Sequence, residues 1–354
     1  MIVMKNMPIS FPGLFGEWEF NPDPIAIHVG NGVYWYGIIL ACAMLAGLFL
    51  AMKQSKRFGL KEDDIMDLVL WAVPCCILGS RIYYVLFYLD FYRKADGSLD
   101  WGAALRIWDG GLAIYGTVIA GVIVLYIFAK VRKLKFGALT DVGVIGLILG
   151  QCIGRWANFI NREAFGGLTD LPWRMRLWTS QFNYIEVHPT FFYESMWNLV
   201  GLLLMIFIVS RGRRFDGENT WFYFLWYGLG RSWIEGLRTD SLYLFKWTIM
   251  GERIRVSQAL SVVMVVAAVI ALVYEIKIKK KTADGLLVNQ LAAAAAAEAT
   301  LAETEAAAAV ESPTVTEIET EMEAAVAMEK EEAAAAETPA KAEETEEVPD
   351  GNQN

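Results

Sequence analysis

Apolar residues run along most of this chain in windows long enough to cross a lipid bilayer. A helix rises about 1.5 Å per residue, so about 20 residues span the hydrocarbon layer. Windows of this kind recur seven times before residue 280. They fall at residues 33–52, 65–89, 112–130, 138–154, 190–210, 219–237 and 256–276. The pattern predicts an all-α integral membrane protein with seven transmembrane helices.

Short basic clusters follow every second window. They lie at residues 53–61, 130–135, 211–214 and 277–281, after the first, third, fifth and seventh windows. A seven-span chain places all four clusters on the same side of the membrane. Cytoplasmic loops of membrane proteins carry the excess of Lys and Arg. We therefore expect an outer N-terminus and a cytoplasmic C-terminus, with an amphipathic, aromatic outer segment at 162–187 that lies on the membrane or forms a lid or arm.

Composition divides the chain into two parts. More than half of its 354 residues, 55%, are hydrophobic, and 13 are tryptophans, which excludes an ordinary soluble domain. Residues 283–354 carry 18 acidic and 2 basic groups, whereas residues 1–282 carry 22 acidic and 29 basic groups. We therefore predict a membrane domain at 1–282. The Ala- and Glu-rich tail at 283–354 is predicted to be a disordered or weakly helical cytoplasmic extension without a catalytic role.

The cysteines and histidines do not form a metal-ligand pattern. Neither His28 nor His188 has metal-ligand spacing to a cysteine, so we expect no metal site. All four cysteines lie in apolar segments, which favours small buried side chains over disulfides or ligands. They are Cys42, Cys75, Cys76 and Cys152.

A polar run closes the fourth window. Residues 140–153 carry one charge, and the next ten residues hold two arginines, two asparagines and a glutamate. Polar groups at a membrane boundary are costly and usually functional. The run predicts a site for an anionic ligand, with Arg155, Asn158, Asn161 and Glu163 as its candidate residues.

The sixth window carries a second polar series, with spacings of four, four and three residues. Such spacing puts side chains on one face of a helix. An arginine at mid-membrane costs about 2.5–3.5 kcal/mol, so it should face protein or a wet cavity. One alternative is an Arg231–Glu235 ion pair that only supports packing. The excess of positive charge favours an anionic ligand, and the series is Tyr227, Arg231, Glu235 and Arg238.

Several other unusual residues fall on the same predicted outer face, and each has a simpler interpretation alone. Tyr36 fits an interfacial aromatic belt. His188 precedes a helix start and fits a surface position. Glu194 in a first helical turn complements the helix dipole. Their convergence on one membrane face is what indicates a site.

Taken together, the motifs of this chain resemble those of bacterial prolipoprotein diacylglyceryl transferases over roughly residues 20–275. Several motifs in the same order make the resemblance specific. They are Trp35-Tyr36-Gly37, Trp108-Asp109-Gly110-Gly111-Leu112, Gly154-Arg155-x-x-Asn158-Phe159-x-Asn161-x-Glu163-x-x-Gly166, His188-Pro189-Thr190-x-x-Tyr193-Glu194, and Tyr227-Gly228-x-x-Arg231 with Glu235 and Arg238.

The resemblance implies transfer of the diacylglyceryl group of phosphatidylglycerol to the thiol of a lipobox cysteine in a preprolipoprotein, with release of glycerol phosphate. It implies a multi-pass protein of the bacterial cytoplasmic membrane, surrounded by membrane lipid, with its active site toward the outer side. It implies no cofactor, no metal and no nucleic-acid partner.

The resemblance also implies roles for individual residues. Arg155 corresponds to the head-group-binding arginine, and Arg231 is expected beside it at the phosphate. Glu163 is expected to orient Arg155 or to accept the thiol proton. The implied catalytic set is Tyr36, Asn158, Glu163, Gly166 and Arg231. The implied substrate-binding set is Arg155, Asn161, Tyr115, Tyr227, Glu235, Arg238, His188 and Glu194.

One position departs from the family pattern. Many members carry a histidine where this chain has Tyr115, and that histidine has been proposed as a catalytic base. Tyrosine has an ordinary pKa of about 10 and would be a poor base. Either another residue takes the proton in this chain, or the histidine is not a base anywhere in the family. The alternative function is a transporter or flippase of an anionic lipid or solute. Internal repeats or paired broken helices would favour that alternative. A purely structural scaffold is a third and weaker interpretation.

Overall fold

The computed structural model describes residues 3–30, 32–94, 97–239, 243–249, 252–311 and 315–336. Long helices make up most of it. They are α1 (Trp35–Ser55), α2 (Glu62–Phe87), α3 (Ile114–Val131), α4 (Phe136–Asn161), α5 (Thr190–Leu204), α6 (Glu218–Leu237), α7 (Val256–Val273), α8 (Leu287–Glu311) and α9 (Val315–Ala336). Short helical segments occur at Pro12–Phe15 and Trp101–Leu105.

Six helices of the described chain are long and apolar enough to cross a membrane. They comprise α1 to α5 and α7, with α5 and α7 extended by single π-helical turns to Val209 and Ile278. Helix α6 coincides with the sixth predicted window, but its aromatic, arginine and glutamate residues lower its hydropathy. The predicted all-α membrane fold is confirmed, whereas the count of seven spans stays a prediction.

Helix α4 is longer at its C-terminal end than its apolar window. The sequence predicted a span that ends at residue 154, with the polar run leaving the membrane beyond it. The helix instead continues to Asn161 and ends where Arg162 adopts a left-handed conformation, with φ of 53°. No helix-breaking residue occurs between Arg155 and Ile160, so the backbone bonds continue. Arg155 and Asn158 therefore lie in the last turns of the helix.

A small antiparallel sheet lies where the sequence predicted an amphipathic surface segment or arm. Its strand order is β2-β1-β5-β6, so the N-terminal segment is paired with the segment after α4. Residue alternation in Met175–Trp178 buries Met175 and Leu177 and leaves Arg176 and Trp178 half-buried. The strands are β1 (Ile9–Ser10), β2 (Glu19–Phe20), β3 (Ile25–Ile27), β4 (Val33–Tyr34), β5 (Met175–Trp178), β6 (Tyr184–Val187), β7 (Tyr243–Ile249) and β8 (Glu252–Arg255). Strand β3 pairs with β4, and β7 with β8.

Glycines bring α1 and α4 into close contact. A Cβ on Gly47 would lie 2.6 Å from the carbonyl oxygen of Gly146, and a Cβ on Gly146 would lie 2.7 Å from that of Gly47. Small residues at such crossings let two backbones approach closely. The contact sets the start of α1 beside the end of α4. We call this end of the bundle the outer end, following the predicted orientation, and the opposite end the inner end.

Two tryptophans join α5 to α6. The indole Nε1 of Trp197 donates to the carbonyl oxygen of Trp226, and the indole Nε1 of Trp226 donates to that of Trp197, each at 2.9 Å. Their rings stack at 4.5 Å between centroids. Each ring also lies over a glycine of the facing helix, Gly201 or Gly230, where a Cβ would clash. This lock fixes the register in which Glu194 of α5 meets Arg231 of α6.

The inner end is closed by a buried carboxylate. Asp141 of α4 accepts hydrogen bonds from the backbone N–H groups of Gly217 and Thr220 and from the Thr220 hydroxyl, at 2.8, 2.9 and 2.9 Å. These groups form the N-terminus of α6, whose free N–H groups require acceptors. Arg213 lies 3.9 Å from the Asp141 carboxylate and 3.6 Å from that of Asp216. Burial lowers the pKa of Arg213 below its ordinary value.

The chain divides into two compact units, Met1–Ala292 and Ala293–Asn354. The first unit includes the residues after α7: Leu286 is buried, and the N–H of Leu287 donates to Asp216 at 2.8 Å. The boundary predicted at 283 and the disorder of the tail stay predictions. In the described part of the tail, α8 and α9 are helical, which Ala- and Glu-rich sequences favour. Residues 312–314 and 337–354 lie outside the described residues.

The expectation of buried cysteines is wrong for most of them. Cys152 is buried, Cys75 and Cys76 are half-buried, and Cys42 is exposed; all four are free thiols. Membrane helices present apolar side chains outward to lipid as well as inward, so an apolar segment does not by itself predict burial.

Candidate functional site

Glu194 is the centre of the charged cluster at the outer end. It lies in the first turns of α5, and its side chain is 6% exposed. One carboxylate oxygen accepts a hydrogen bond from Arg231 Nη1 at 2.9 Å and lies 3.6 Å from Arg238 Nη1. The other oxygen forms an ion pair with Arg155 Nη2. Three arginines from three segments of the chain therefore share one carboxylate.

Glu235 adds a second carboxylate to the cluster, which still carries a net positive charge. Arg231 Nη2 lies 2.6 Å from Glu235, one turn further along α6. The Arg231–Glu235 ion pair considered from the sequence is thus present, and Arg231 also binds Glu194. Two carboxylates face three guanidinium groups, which leaves an excess of one positive charge at ordinary pH. Arg155 retains 21% exposure, so it remains open to a ligand.

Asn158 and Glu163 are linked beside Arg155. Asn158 lies three residues after Arg155 on the same side of α4, and its Nδ2 donates to Glu163 Oε1 at 2.9 Å. The backbone N–H of Glu163 in turn donates to the carbonyl oxygen of Asn158 at 3.1 Å. Glu163 was expected to orient Arg155 or to accept the thiol proton; in the described chain its side chain accepts a hydrogen bond from Asn158. The carboxylate is therefore held next to the arginine cluster rather than inside it.

An apolar groove of about 560 Å³ runs along the helices to these polar groups. Small and aliphatic residues of α1, α2 and α4 form its walls, including Gly47, Ala51 and Leu68. Tyr36, Arg155 and Asn158 line its polar end. The groove is thus apolar along most of its length and cationic at its outer end.

Gly166 joins three segments of the outer end. Its N–H donates to the carbonyl oxygen of His188 at 3.0 Å, and it pairs with Arg238 in an isolated β-bridge. A Cβ at this position would lie 2.7 Å from the Cβ of His188 and 3.1 Å from the carbonyl oxygen of Leu237. Gly166 was predicted to be catalytic, but this geometry gives it a positional role. A larger residue would push the Arg238 segment away from Glu194.

Arg238 lies just beyond α6 rather than on it. The sequence predicted one helical face for Tyr227, Arg231, Glu235 and Arg238, but α6 ends at Leu237 and Arg238 is extended, with ψ of 147°. The bridge to Gly166 therefore directs Arg238 toward Glu194. Tyr227 stacks on Tyr223 at 5.5 Å and lines a small cavity with Glu194 and Arg231.

The remaining predicted residues lie around this cluster. His188 is half-buried, its Nδ1 lies 3.3 Å from the hydroxyl of Tyr193, and burial lowers the pKa of His188. The Tyr193 hydroxyl also accepts a hydrogen bond from Trp173 at 2.7 Å. Asn161 is the last residue of α4. These side chains support the outer sheet and the start of α5.

Tyr115 lies apart from the arginine cluster. It is in the first turn of α3, 39% exposed, and its ring is 6.2 Å from that of Tyr83 on α2. It is not among the residues that line the groove. Its surroundings in the described chain are therefore aromatic rather than charged, which disfavours a role as the base.

Two arginines that sequence reasoning missed hold the outer segments in place. Arg162 is buried, and its guanidinium donates to the carbonyl oxygens of Met7, Ile160 and Pro22. Arg81 is buried near the outer end of α2 and donates to the carbonyl oxygens of Ala103, Ala104, Gly110 and Gly111. The available signal for Arg81 was its place as an arginine inside the second apolar window. Both side chains cross-link loops, which a local sequence pattern does not reveal.

A bundle of helices of membrane-spanning length, with a cationic cluster at the end of an apolar groove, places this chain in the class of multi-pass membrane proteins. The family model for prolipoprotein diacylglyceryl transferase matches residues 24–274 of this chain. The chain belongs to that family. The family predicted from the sequence motifs, and the transferase class of activity that it carries, are confirmed.

Named relatives agree with the family model. A protein of Finegoldia magna is 39% identical over 260 residues, which cover 73% of this chain and 97% of the relative. One of Oceanobacillus iheyensis is 41% identical over 275 residues, covering 72% of this chain and 88% of the relative. One of Clostridioides difficile is 38% identical over 245 residues, covering 69% and 92%. Each is named phosphatidylglycerol--prolipoprotein diacylglyceryl transferase.

Proposed function

We propose that this protein transfers the diacylglyceryl group of phosphatidylglycerol to the thiol of a lipobox cysteine in preprolipoproteins and releases glycerol phosphate. The observation that carries the proposal is the arginine cluster on Glu194 at the polar end of the apolar groove. The groove accepts acyl chains and the guanidinium groups accept a phosphate. The names of the relatives supply the two substrates.

The phosphate is the group that the cluster binds. Guanidinium groups are planar, remain charged, and offer paired donors that match phosphate oxygens. Arg155 lines the groove itself, and Arg231 and Arg238 lie behind it on Glu194. Glu194 prevents mutual repulsion of the three arginines while the surplus positive charge remains for the ligand.

The reaction forms a thioether and breaks a carbon–oxygen bond. The thiolate sulfur attacks the glycerol carbon that bears the phosphate, and the bonding electron pair leaves with the phosphate oxygen. Charge therefore gathers on the departing glycerol phosphate, where preorganised arginines stabilise it most. Asn158 and Asn161 offer neutral hydrogen bonds to head-group hydroxyls, and Tyr36 closes the same end of the groove.

Glu163 is the proposed acceptor of the thiol proton. A free thiol has a pKa of about 8.5, and the thiolate is the nucleophile, so removal of the proton assists attack. One Glu163 oxygen is held by Asn158 at 2.9 Å, and the described contacts leave the other oxygen for the proton. Tyr115 is not assigned this role, because a phenol with an ordinary pKa is a poor base.

The proposed location is the bacterial cytoplasmic membrane, with the site toward its outer side. Basic clusters after the first, third, fifth and seventh windows favour a cytoplasmic inner end. A lipobox cysteine on an exported precursor would then meet the arginine cluster on the side to which it is delivered.

A transfer assay tests the proposal. Purified protein is mixed with phosphatidylglycerol vesicles and a synthetic lipobox peptide, and the peptide mass is followed. We expect a gain of one diacylglyceryl group with an equal amount of glycerol phosphate released. A cysteine-to-serine peptide is the control and should stay unmodified. Lipid movement across the vesicle without a mass gain would instead establish a lipid carrier.

A further inference from the structure

Gln151 lines the apolar part of the groove and carries a polar atom without a partner among the described residues. It lies four residues before Arg155 on α4, so both side chains project from the same helix face, about 6 Å apart along the axis. Both line the groove. The oxygen Oε1 of Gln151 is buried and has no hydrogen-bond partner among the described residues. A buried polar atom without a partner is unfavourable, so its presence at this depth requires a cause.

The amide is anchored by a tyrosine of α6. Gln151 Nε2 donates to the hydroxyl of Tyr223 at 2.8 Å. Tyr223 is buried, and its ring stacks on Tyr227 of the arginine cluster. The anchor holds one end of the amide against the protein and leaves the other end without a partner among the described residues.

Rotation of the Gln151 side-chain amide by about 180° exchanges the positions of its oxygen and its nitrogen. The Tyr223 hydroxyl then donates to Gln151 Oε1, and Nε2 takes the position without a partner, where it is a donor. A tyrosine hydroxyl both donates and accepts, so it holds the amide in either orientation. Gln151 can therefore present a donor at this depth and still keep its hydrogen bond to Tyr223.

The position of this donor matches one part of a glycerophospholipid. With the phosphate at Arg155, the next polar groups toward the bilayer interior are the ester carbonyls of the two acyl chains. These carbonyls accept hydrogen bonds and cannot donate. Within the described lining of the groove, the amide of Gln151 lies one helical turn below Arg155 on the inner side.

We propose that Gln151, anchored by Tyr223, donates a hydrogen bond to an ester carbonyl of the bound lipid and thereby selects diacyl over dialkyl glycerophospholipids. This inference rests on the proposed function and names the lipid feature that the site reads. Arg155 holds the phosphate, and Gln151 holds the glycerol ester, so the carbon between them is fixed for attack by the thiol.

The test compares two donor lipids in the peptide assay. One is phosphatidylglycerol with ester-linked chains, and the other is its ether-linked analogue of the same chain length. We expect wild-type kcat/KM to favour the ester lipid by about threefold to tenfold, the effect of one neutral hydrogen bond. Gln151→Leu should bring the two lipids to within about twofold, mainly through a higher KM for the ester lipid, and Tyr223→Phe should lower the same ratio.

The ratio of kcat/KM for the two lipids does not depend on how much of a variant folds, because both values are measured on one preparation. Leu147→Ala is the matched control: it enlarges the same groove without touching a polar atom, and it should slow both lipids equally. An unchanged ratio in Gln151→Leu, or a rise in peptide KM alone, would overturn the inference. Absence of transfer from either lipid would overturn the proposed function as well.

Discussion

The outer and inner ends of the bundle both hold arginines against buried carboxylates, but the balance of charge differs. At the outer end Glu194 and Glu235 face three arginines, and the cluster opens onto a groove. At the inner end Arg213 faces Asp141 and Asp216, and it also donates to the carbonyl oxygen of Arg57 at 2.7 Å.

The difference separates a binding site from a structural clamp. The inner carboxylate Asp141 is fully buried and its oxygens are bound by the start of α6, so nothing remains for a ligand. The guanidinium of Arg213 also lies 3.8 Å over the ring of Phe58. Surplus charge together with access defines the outer site, whereas paired charge that is almost fully buried stabilises the inner end.

The largest effect is expected from Arg155→Lys. Lysine keeps the charge but loses the planar pair of donors, and one charge-assisted hydrogen bond contributes about 1.5–3 kcal/mol. We expect the transfer rate to fall by about a hundredfold. The measurement is the initial rate of peptide modification at matched protein amounts.

The control for this change is Arg174→Lys on the outer sheet, where Arg174 binds Glu186 at 2.5 Å. It should retain nearly full activity. Equal rates for Arg155→Lys and wild type would show that the phosphate lies elsewhere.

Glu163→Gln should reduce the rate by about tenfold to a hundredfold. The amide keeps a partner for Asn158 but cannot accept the thiol proton, and such proton transfer contributes about a hundredfold or more when it limits the rate. A pH–rate profile checks the role, because the loss should shrink at high pH where the thiol ionises unaided. Glu186→Gln serves as the control, and a loss that is constant across pH would rule out the proton role.

Asp141→Asn should act on stability and leave the site alone. One carboxylate oxygen remains as an acceptor for α6, and the other bond is lost, which costs about 2 kcal/mol. We expect a lower Tm in detergent with unchanged kcat of the folded fraction. Asp67→Asn at the exposed Arg132 pair should change the Tm far less. A fall in kcat with an unchanged Tm would mean that the inner cluster is not a clamp.

A smaller effect is expected from Tyr115→Phe. The hydroxyl contributes at most one hydrogen bond of about 0.5–1.5 kcal/mol, so activity should fall by tenfold or less. Its exposed position against Tyr83 supports this expectation. An inactive Tyr115→Phe variant together with an active Glu163→Gln variant would reverse the assignment of the base.

The smallest effect concerns the tail. Truncation after Ala292 should leave both Tm and transfer unchanged, because the first compact unit ends there. Truncation after Lys281 should lower the Tm, because it removes buried Leu286 and the bond from Leu287 to Asp216. Thermal unfolding of the two proteins is the measurement. Identical curves for both truncations would show that residues 282–292 contribute nothing to the inner end.

Local patterns predicted the helices well, since about 20 apolar residues in a row have few alternatives. The outer sheet could not be predicted in the same way. Its strands are two to four residues long, and Ser10 pairs with Arg176 across most of the membrane domain. Pairing at such separation leaves no short-range periodicity, although the alternation in Met175–Trp178 was a usable signal.

The sequence predicted which residues belong to the site better than it predicted how they are arranged. Arg231 was recognised because arginines are rare in apolar windows, and Arg155 because a polar run follows the fourth window. The role of Glu194 as their shared partner depends on the tryptophan lock between α5 and α6, which sequence spacing does not reveal. Gln151 was overlooked because a glutamine carries no charge, and its importance arises only from the groove it faces.

Affinity for phosphatidylglycerol is the measurement that tests the central claim most directly. Purified wild type, Arg155→Lys and Arg213→Lys would be titrated with the lipid in uncharged detergent, without any acceptor peptide. The charge comparison predicts that Arg155→Lys weakens binding by about tenfold or more, the loss of one charge-assisted hydrogen bond, while the folded fraction of Arg213→Lys binds like wild type. Wild-type affinity in Arg155→Lys, or an equal loss in both variants, would contradict the account.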